Sequence, residues 1–458
     1  MNGFVSAFAL SASWLTVAAM GVSLLVLLIR YAAEPFAPGL PFGPLVRRLI
    51  EGRPLVSESS DDSSTANRGL RRRLRRNEWA LHNQLYLIAW LLCTALASRL
   101  IIFASALVGC WLNGDLTAFF SDFRNHWIRW DAIGYLSIAE SGYTVDTQAY
   151  MVLLPLYPLL TKILSLLCFG NTAFAATLIS NVSLIGCGWA LYHLVQEKQG
   201  QIAARRAVQL FMFCPLSVFF SVPYAESLFL FLTLMSILLA RRQKFIAAVG
   251  LGMLASCTRL LGVLTIIPVM LEVWKYEISI QLWPRHKSRC VIRLIVNSLL
   301  VMTIALGFVI YLIINQAVMG DPMAFVRIQA ESWNQSFGTL ANTLRYSIET
   351  AASNASAPWL LGVWLPQSAL IILSVALLLV ISTRVDPGDG MYAWCYLTAA
   401  LAPTWLLTGP RMILCMYALY PMLSRASRKK QIYGTLLLLS LILMIVCSYM
   451  YAVVGNLL

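Results

Sequence analysis

The sequence predicts an all-α polytopic membrane protein. Its 458 residues are 59% hydrophobic and only 12% charged, where soluble proteins carry about 25% charged residues. Apolar stretches of near-bilayer length recur from residue 4 to residue 454. The basic residues are also distributed unevenly between the segments that join these stretches. A mean hydropathy of +0.74 excludes a disordered chain, since there is ample apolar surface to bury. The formal charge of +14 would suggest nucleic acid in a soluble protein, but here the charge sits in membrane-flanking loops. Membrane lipids, and no nucleic acid, are therefore the expected surroundings. Ten cysteines lie scattered without a Cys-x-x-Cys pair, beside only four histidines. Neither a disulfide framework nor a zinc site is expected.

Taken in order, residues 4–29 are too long a run for a signal peptide and lack a basic leader, so they read as a retained span. Residues 30–82 are polar, run through Ser59-Ser60-Asp61-Asp62 and end in Arg71-Arg72-Arg73-Leu74-Arg75-Arg76. They read as a flexible cytoplasmic linker ending at the membrane surface. Further crossings follow near 83–112, 172–195, 207–223, 225–240, 294–317, 359–383, 391–408, 411–424 and 432–454. Residues 245–274 lie between two basic flanks, Arg241-Arg242-Gln243-Lys244 and the loop from Lys275 to Arg293. Only a double pass keeps both flanks on one side, with each arm about 22 Å long. The tip of this short hairpin is Cys257-Thr258-Arg259-Leu260. The total is about twelve crossings, and 26 of the 34 Lys and Arg residues then fall on the cytoplasmic side. The organisation is an extra span and basic linker over 1–82, a core membrane module over 83–424, and a basic loop with a last span over 425–458. The module carries outer loops at 113–170 and 318–358. Within the first, the apolar stretch from Met151 to Phe169 opens with Pro155-Leu156-Tyr157-Pro158 and is expected to dip into the outer interface.

Among the carboxylates of the outer segments, Asp131 stands apart. It sits within His126-Trp127-Ile128-Arg129-Trp130-Asp131-Ala132-Ile133-Gly134-Tyr135, and such amphipathic aromatics favour the membrane boundary. A carboxylate among Trp and Tyr rings is partly desolvated, the setting in which a general base is made; the same aspartate could equally cap a short interfacial helix. Arg259, at the hairpin tip, would cost about 2.5 to 3.5 kcal/mol in the middle of an isolated span, so it must face a partner or a polar cavity. Arg411, in Gly409-Pro410-Arg411-Met412, begins a span at the same outer level. Two cations and an acid beside an apolar wall suit a lipid-linked phosphate, whose oxygens the guanidinium fork matches. Pairing of these arginines with Glu226 or Asp321 is the structural alternative. Glu226, after Pro223-Tyr224-Ala225, would bind a sugar hydroxyl or fix an arginine. Asp321, in Gly320-Asp321-Pro322, reads first as a turn residue capping a helix from Met323 to Trp333.

These residues occur in an order that resembles a known family. Trp130-Asp131-Ala132, Ile138-Ala139-Glu140-Ser141-Gly142-Tyr143 and Pro155-Leu156-Tyr157-Pro158 resemble the first outer loop of PIG-V-like mannosyltransferases of the GPI pathway and their prokaryotic relatives. Pro215 with Ser217-Val218-Phe219-Phe220-Ser221, then Pro223-Tyr224-Ala225-Glu226-Ser227, Thr258-Arg259 with Gly262, Gly320-Asp321-Pro322 and Pro410-Arg411 continue the match through roughly residues 84–424.

The resemblance implies a GT-C glycosyltransferase, a multi-span helical enzyme working on the lumenal or periplasmic face with a polyprenyl-phosphate sugar, mannose above all, as donor. The acceptor would be a hydroxyl of a glycolipid or glycan. By that analogy Asp131 is the catalytic acid-base residue; on the reading of the residues themselves, Arg259 and Arg411 bind the donor phosphate, and Trp130, Tyr135, Tyr157, Tyr224, Glu226 and Asp321 bind substrate or support the site. No cofactor is chemically required when one phosphate leaves, and no metal ligand set is assigned, although a carboxylate-bound divalent ion stays open. A flippase or secondary transporter is the rival class; the absence of paired inverted halves and the placement of the acids in outer loops favour an enzyme. A bacterial plasma membrane is the expected location, with an ER membrane if the host is eukaryotic. Asn334-Gln335-Ser336 and Asn354-Ala355-Ser356 do not decide between them.

Overall fold

The computed structural model describes residues 18–28, 66–114, 117, 120, 126–279, 287–333, 335, 338–352, 360, 364–403 and 409–454. Its described residues are helical, with no β-strand among them. In chain order the helices are α1 (Ala18–Leu28) and α2 (Ala66–Leu112), then α3 (Asp131–Ser141), α4 (Leu156–Ser165), α5 (Thr172–Gln199) and α6 (Gln201–Met212). Next come α7 (Glu226–Arg241), α8 (Phe245–Thr258), α9 (Ile266–Ser279), α10 (Lys287–Met302), α11 (Leu306–Met319) and α12 (Ala324–Trp333). The remainder are α13 (Leu340–Ala352), α14 (Leu365–Ile381), α15 (Pro387–Ala400), α16 (Gly409–Leu414), α17 (Leu419–Ala426) and α18 (Lys430–Tyr449).

The ends of these helices are specified locally. Asn171 caps α5 by accepting the Phe174 N–H at 3.0 Å. Asp386 caps α15 by accepting the Gly388 N–H at 3.0 Å, with Pro387 at the first helical position, where its missing donor costs nothing. Between α6 and α7, Pro215 and Pro223 break the chain into turns and a short 3-10 segment, Ser217–Phe220.

Two charged clusters at opposite ends of the helices fix the direction of each. One gathers Asp131, Glu226, Arg259 and Arg411. The other gathers Lys198, Arg241, Glu272, Lys275, Asp386 and Asp389. Helix α7 joins them, with Glu226 and Arg241 at its two ends, about 22 Å apart at 1.5 Å per residue. Helix α8 returns from Phe245 to the Arg259 end, and α9 runs back to Glu272 and Lys275. The predicted hairpin over 245–274 is therefore present, with Arg259 at its tip and a tight 3-10 turn, Leu260–Thr265, after it. Helix α11 crosses the hairpin where Gly307 touches it: a Cβ there would lie 2.1 Å from Ser256 Oγ. Ser256 Oγ donates to the Ile304 carbonyl at 2.6 Å across the same contact.

Among the described residues five helices are long and apolar enough to cross a membrane, or six if one bent pair counts as a span. The count of about twelve is not reached on that criterion, because several expected crossings are short or broken. The segment expected over 411–424 is two helices, α16 and α17, interrupted at Cys415–Ala418. That over 207–223 ends as a helix at Met212. The bent pair, Val145–Val152 with Leu156–Cys168, turns by 120° at Pro155, which fits the dip expected there. The linker expected to stay flexible to residue 82 is helical from Ala66; a poly-basic run has no intrinsic bar to helix, and here it extends the following span. Residues 30–65, most of the first apolar run and the sequons at Asn334 and Asn354 lie outside the described residues. Apolar side chains such as Leu438, Leu439, Ile442 and Ile445 of α18 face outward, the surface lipid would cover.

Candidate active site

Asp131 opens α3, in the first turn, where the free N–H groups and helix dipole favour a carboxylate. The turn before it is forced. Trp130 has φ 55, a left-handed conformation rare for a bulky residue. Packing from the end of the chain holds it there. Arg129 Nη2 donates to the Ala452 carbonyl at 3.1 Å, and Tyr451 donates to the Trp127 carbonyl at 3.0 Å. Tyr224 completes the clamp, its hydroxyl donating to the Arg129 carbonyl at 2.9 Å.

The four charged residues expected to matter form one continuous chain. Arg411 Nη2 donates to Asp131 Oδ2 at 2.6 Å, and its Nε lies 3.0 Å from Glu226 Oε1. The same Glu226 oxygen accepts from Arg259 Nη1, and Arg259 Nη2 donates to the Met412 sulfur at 2.8 Å. Glu226 is 1% exposed and the Asp131 side chain 21%, so the chain runs from a buried anchor to a half-open end. Two acids and two arginines balance, which is how such charges persist away from water. Arg411 also lies over the rings of Tyr224 and Phe219, at 5.1 and 5.5 Å. Structural pairing of both arginines with Glu226, the alternative left open by the sequence, is thus what the structure shows.

Beside this chain lies a cavity of about 220 Å³. Asp131, Tyr135, Arg259 and Arg411 line its charged wall, and Leu153, Leu154, Leu260, Leu261, Phe308, Tyr311 and Phe325 its apolar one. Gln329 and Gln335 add polar groups opposite, joined by a hydrogen bond from Gln329 Nε2 to Gln335 Oε1 at 2.7 Å. Sequence reasoning missed both, as well as Met412; nothing in a lone Gln or Met within an apolar stretch distinguishes it from packing.

The other expected residues divide. Tyr135 faces the cavity and stacks edge-on against Tyr157, with centroids 5.0 Å apart. Tyr157 is buried beneath it, donating to the Ala176 carbonyl at 2.9 Å, and its partner Ser180 donates to the Tyr224 carbonyl at 3.0 Å. Tyr157 and Tyr224 therefore support the wall from behind. Trp130 is exposed and does not line the cavity. Asp321 accepts from the Met323 N–H at 2.9 Å in a turn before α12 and also stands off the cavity, so only its capping reading fits. Among the described residues no three His, Cys, Asp or Glu side chains gather at metal-ligand spacing.

No curated protein and no solved structure gives a match to this chain. A family model described as Mannosyltransferase (PIG-V) matches residues 113–320, a little under half of the chain. Asp131, Tyr135, Glu226 and Arg259 lie inside that segment, and Arg411 beyond it. Over that segment the chain is similar to the PIG-V mannosyltransferases, which bears out the family resemblance carried by its ordered motifs.

Proposed function

We propose that this protein is a GT-C type mannosyltransferase of the membrane. It moves a mannosyl group from a polyprenyl-phosphate donor to a hydroxyl of a glycolipid or glycan, on the face away from the basic loops. The observation that carries the reading is the Asp131–Arg411–Glu226–Arg259 chain set against a cavity with an apolar wall. The apolar wall suits the first isoprene units, the arginines the phosphate, and Asp131 the acceptor hydroxyl.

The acceptor O–H gives its proton to an Asp131 oxygen as the acceptor oxygen bonds to the anomeric carbon. The bond from that carbon to the phosphate oxygen breaks on the opposite face, its electron pair leaves with the phosphate, and the configuration inverts. A phosphodiester with one negative charge thereby becomes a monoester with two. Arg259 and Arg411, held by Glu226, meet that added charge as it develops. Asp131 holds Arg411 through its Oδ2, which orients the carboxylate toward the acceptor and keeps the guanidinium beside the donor phosphate.

Purified protein incubated with radiolabelled polyprenyl-phosphate mannose and a panel of acceptors tests this. Wild type should transfer label, and Asp131→Asn should lose about 10²- to 10⁴-fold in rate while melting near wild type in detergent. Transfer retained by that variant removes Asp131 as the base.

A further inference from the structure

The charged wall of the Asp131 cleft accounts for the donor phosphate and the transferred proton, but not for the hydroxyls of the sugar ring. Asp131, Arg259 and Arg411 are committed to one another through Glu226. Of the other polar side chains lining the cavity, Thr258 donates to the Leu254 carbonyl at 2.8 Å and Tyr311 to the Met151 carbonyl. Tyr135 stands on the charged wall itself. Two neutral amides are left, those of Gln329 and Gln335, both half-buried.

Helix α12 and the turn after it hold this pair in place. Phe325 and Gln329, one helical turn apart, share the face that lines the cavity, while Ala324 and Ile328 pack with Met151. The Gln335 N–H donates to the Gln329 carbonyl at 3.0 Å, and Gln329 Nε2 donates to Gln335 Oε1 at 2.7 Å, so main chain and side chain fix the spacing together. Farther along, the Gly338 N–H donates to the Ala402 carbonyl at 2.6 Å and the Thr343 hydroxyl to the Leu401 carbonyl at 2.7 Å, which ties the segment to the stretch after α15. One bond between two amides uses one N–H and one carbonyl. The oxygen of Gln329 and the amino group of Gln335 stay without a partner among the described residues. Turning both amides over leaves the same complement, one acceptor and one amino donor.

We propose that the Gln329–Gln335 pair reads two neighbouring hydroxyls of the donor sugar, those on C3 and C4. The proposal rests on the sugar-transfer reading, which puts the donor phosphate at Arg259 and Arg411. In a pyranose the phosphate hangs from C1, and C3 and C4 lie across the ring from it. A donor gripped by its phosphate at the charged wall therefore turns those hydroxyls toward α12. A vicinal diol sets an O–H donor beside an oxygen acceptor, the complement of one amide carbonyl and one amino group. Neutral amides also suit this end of the ring, where no charge develops as the glycosidic bond breaks. Their contacts hold ground state and transition state alike, so they set donor affinity and selectivity and leave the chemical step alone.

The test is equilibrium binding to the full-length protein in nanodiscs of four probes: polyprenyl-phosphate mannose, its 3-deoxy and 4-deoxy analogues, and polyprenyl phosphate without sugar. Wild type should bind each deoxy analogue about five- to tenfold more weakly than the parent, the worth of one hydrogen bond. Gln329→Leu and Gln335→Leu should each weaken the parent by a similar factor, leave polyprenyl phosphate unchanged and lose the discrimination against one of the two analogues. In transfer assays both variants should raise KM for the donor with kcat near wild type. Equal binding of the parent and both analogues by wild type overturns the proposal without recourse to any variant. So does a variant that weakens polyprenyl phosphate as much as the mannosylated lipid, or one that moves only the KM of the acceptor. A wild type that neither binds polyprenyl-phosphate mannose nor transfers its label overturns the sugar-transfer reading itself, an outcome distinct from equal binding of parent and analogues.

Discussion

Glu226 is the residue on which the cleft's charges depend, because one of its oxygens holds both arginines. Removing its charge leaves two buried guanidinium groups opposed only by Asp131. Glu226→Gln should therefore destabilise the protein by about 3 to 5 kcal/mol, read as a large fall in thermal midpoint. Asp131→Asn, at the half-open end, should cost far less stability for a comparable loss of transfer. The contrast separates an anchoring acid from a reacting one. At this scale the sequence was only partly legible. Asp131, Arg259 and Arg411 could be picked out because charge is rare in apolar surroundings. That Glu226 would take both arginines could not be chosen over other pairings, since partners 33 and 185 residues away in sequence are brought together only by packing. Tyr157 and Tyr224, expected either to bind substrate or to support the site, lie behind the wall, and residue type alone does not say which face of a helix meets a cavity.

The element that places Arg259 is the break between α8 and the 3-10 turn after it. Gly262 makes that break possible, since a Cβ there would lie 2.3 Å from the Ala255 carbonyl oxygen, a backbone atom with no freedom to yield. Gly262→Ala should cost about 1 to 3 kcal/mol through this clash and weaken donor binding more than acceptor binding, measured by equilibrium binding of each. Equal losses would mean that the turn supports the fold without aiming Arg259. The hairpin was legible because basic residues flank both its ends and neither flank tolerates the far side of a membrane. The breaks at Cys415–Ala418 and after Met212 were not, because their segments are as apolar as a continuous span and hydropathy does not register a turn satisfied by neighbouring helices.

Across the whole molecule the two charged clusters define two faces, and the one flanked by the basic loops should lie in the cytoplasm. A cysteine introduced near residue 280 should resist an impermeant thiol reagent in intact cells, whereas one at Leu260 should react; the reverse pattern would invert the orientation. The all-helical membrane class was legible from composition, since no soluble core needs so much apolar surface. The crossing count was less so, because short helices packed inside a bundle need not match the bilayer's thickness one by one. The last helix adds a consequence for biosynthesis. The π-helical turn Met450–Val454 that continues it supplies the Ala452 carbonyl and the Tyr451 hydroxyl that pin Arg129 and Trp127 beside Asp131, more than 300 residues upstream. A nascent polypeptide that stops short of this segment therefore lacks the contacts that hold the turn before Asp131. A stop codon at Tyr449 should consequently yield a membrane-inserted product that is silent in transfer assays, and co-expression of residues 425–458 as a separate fragment should restore some turnover.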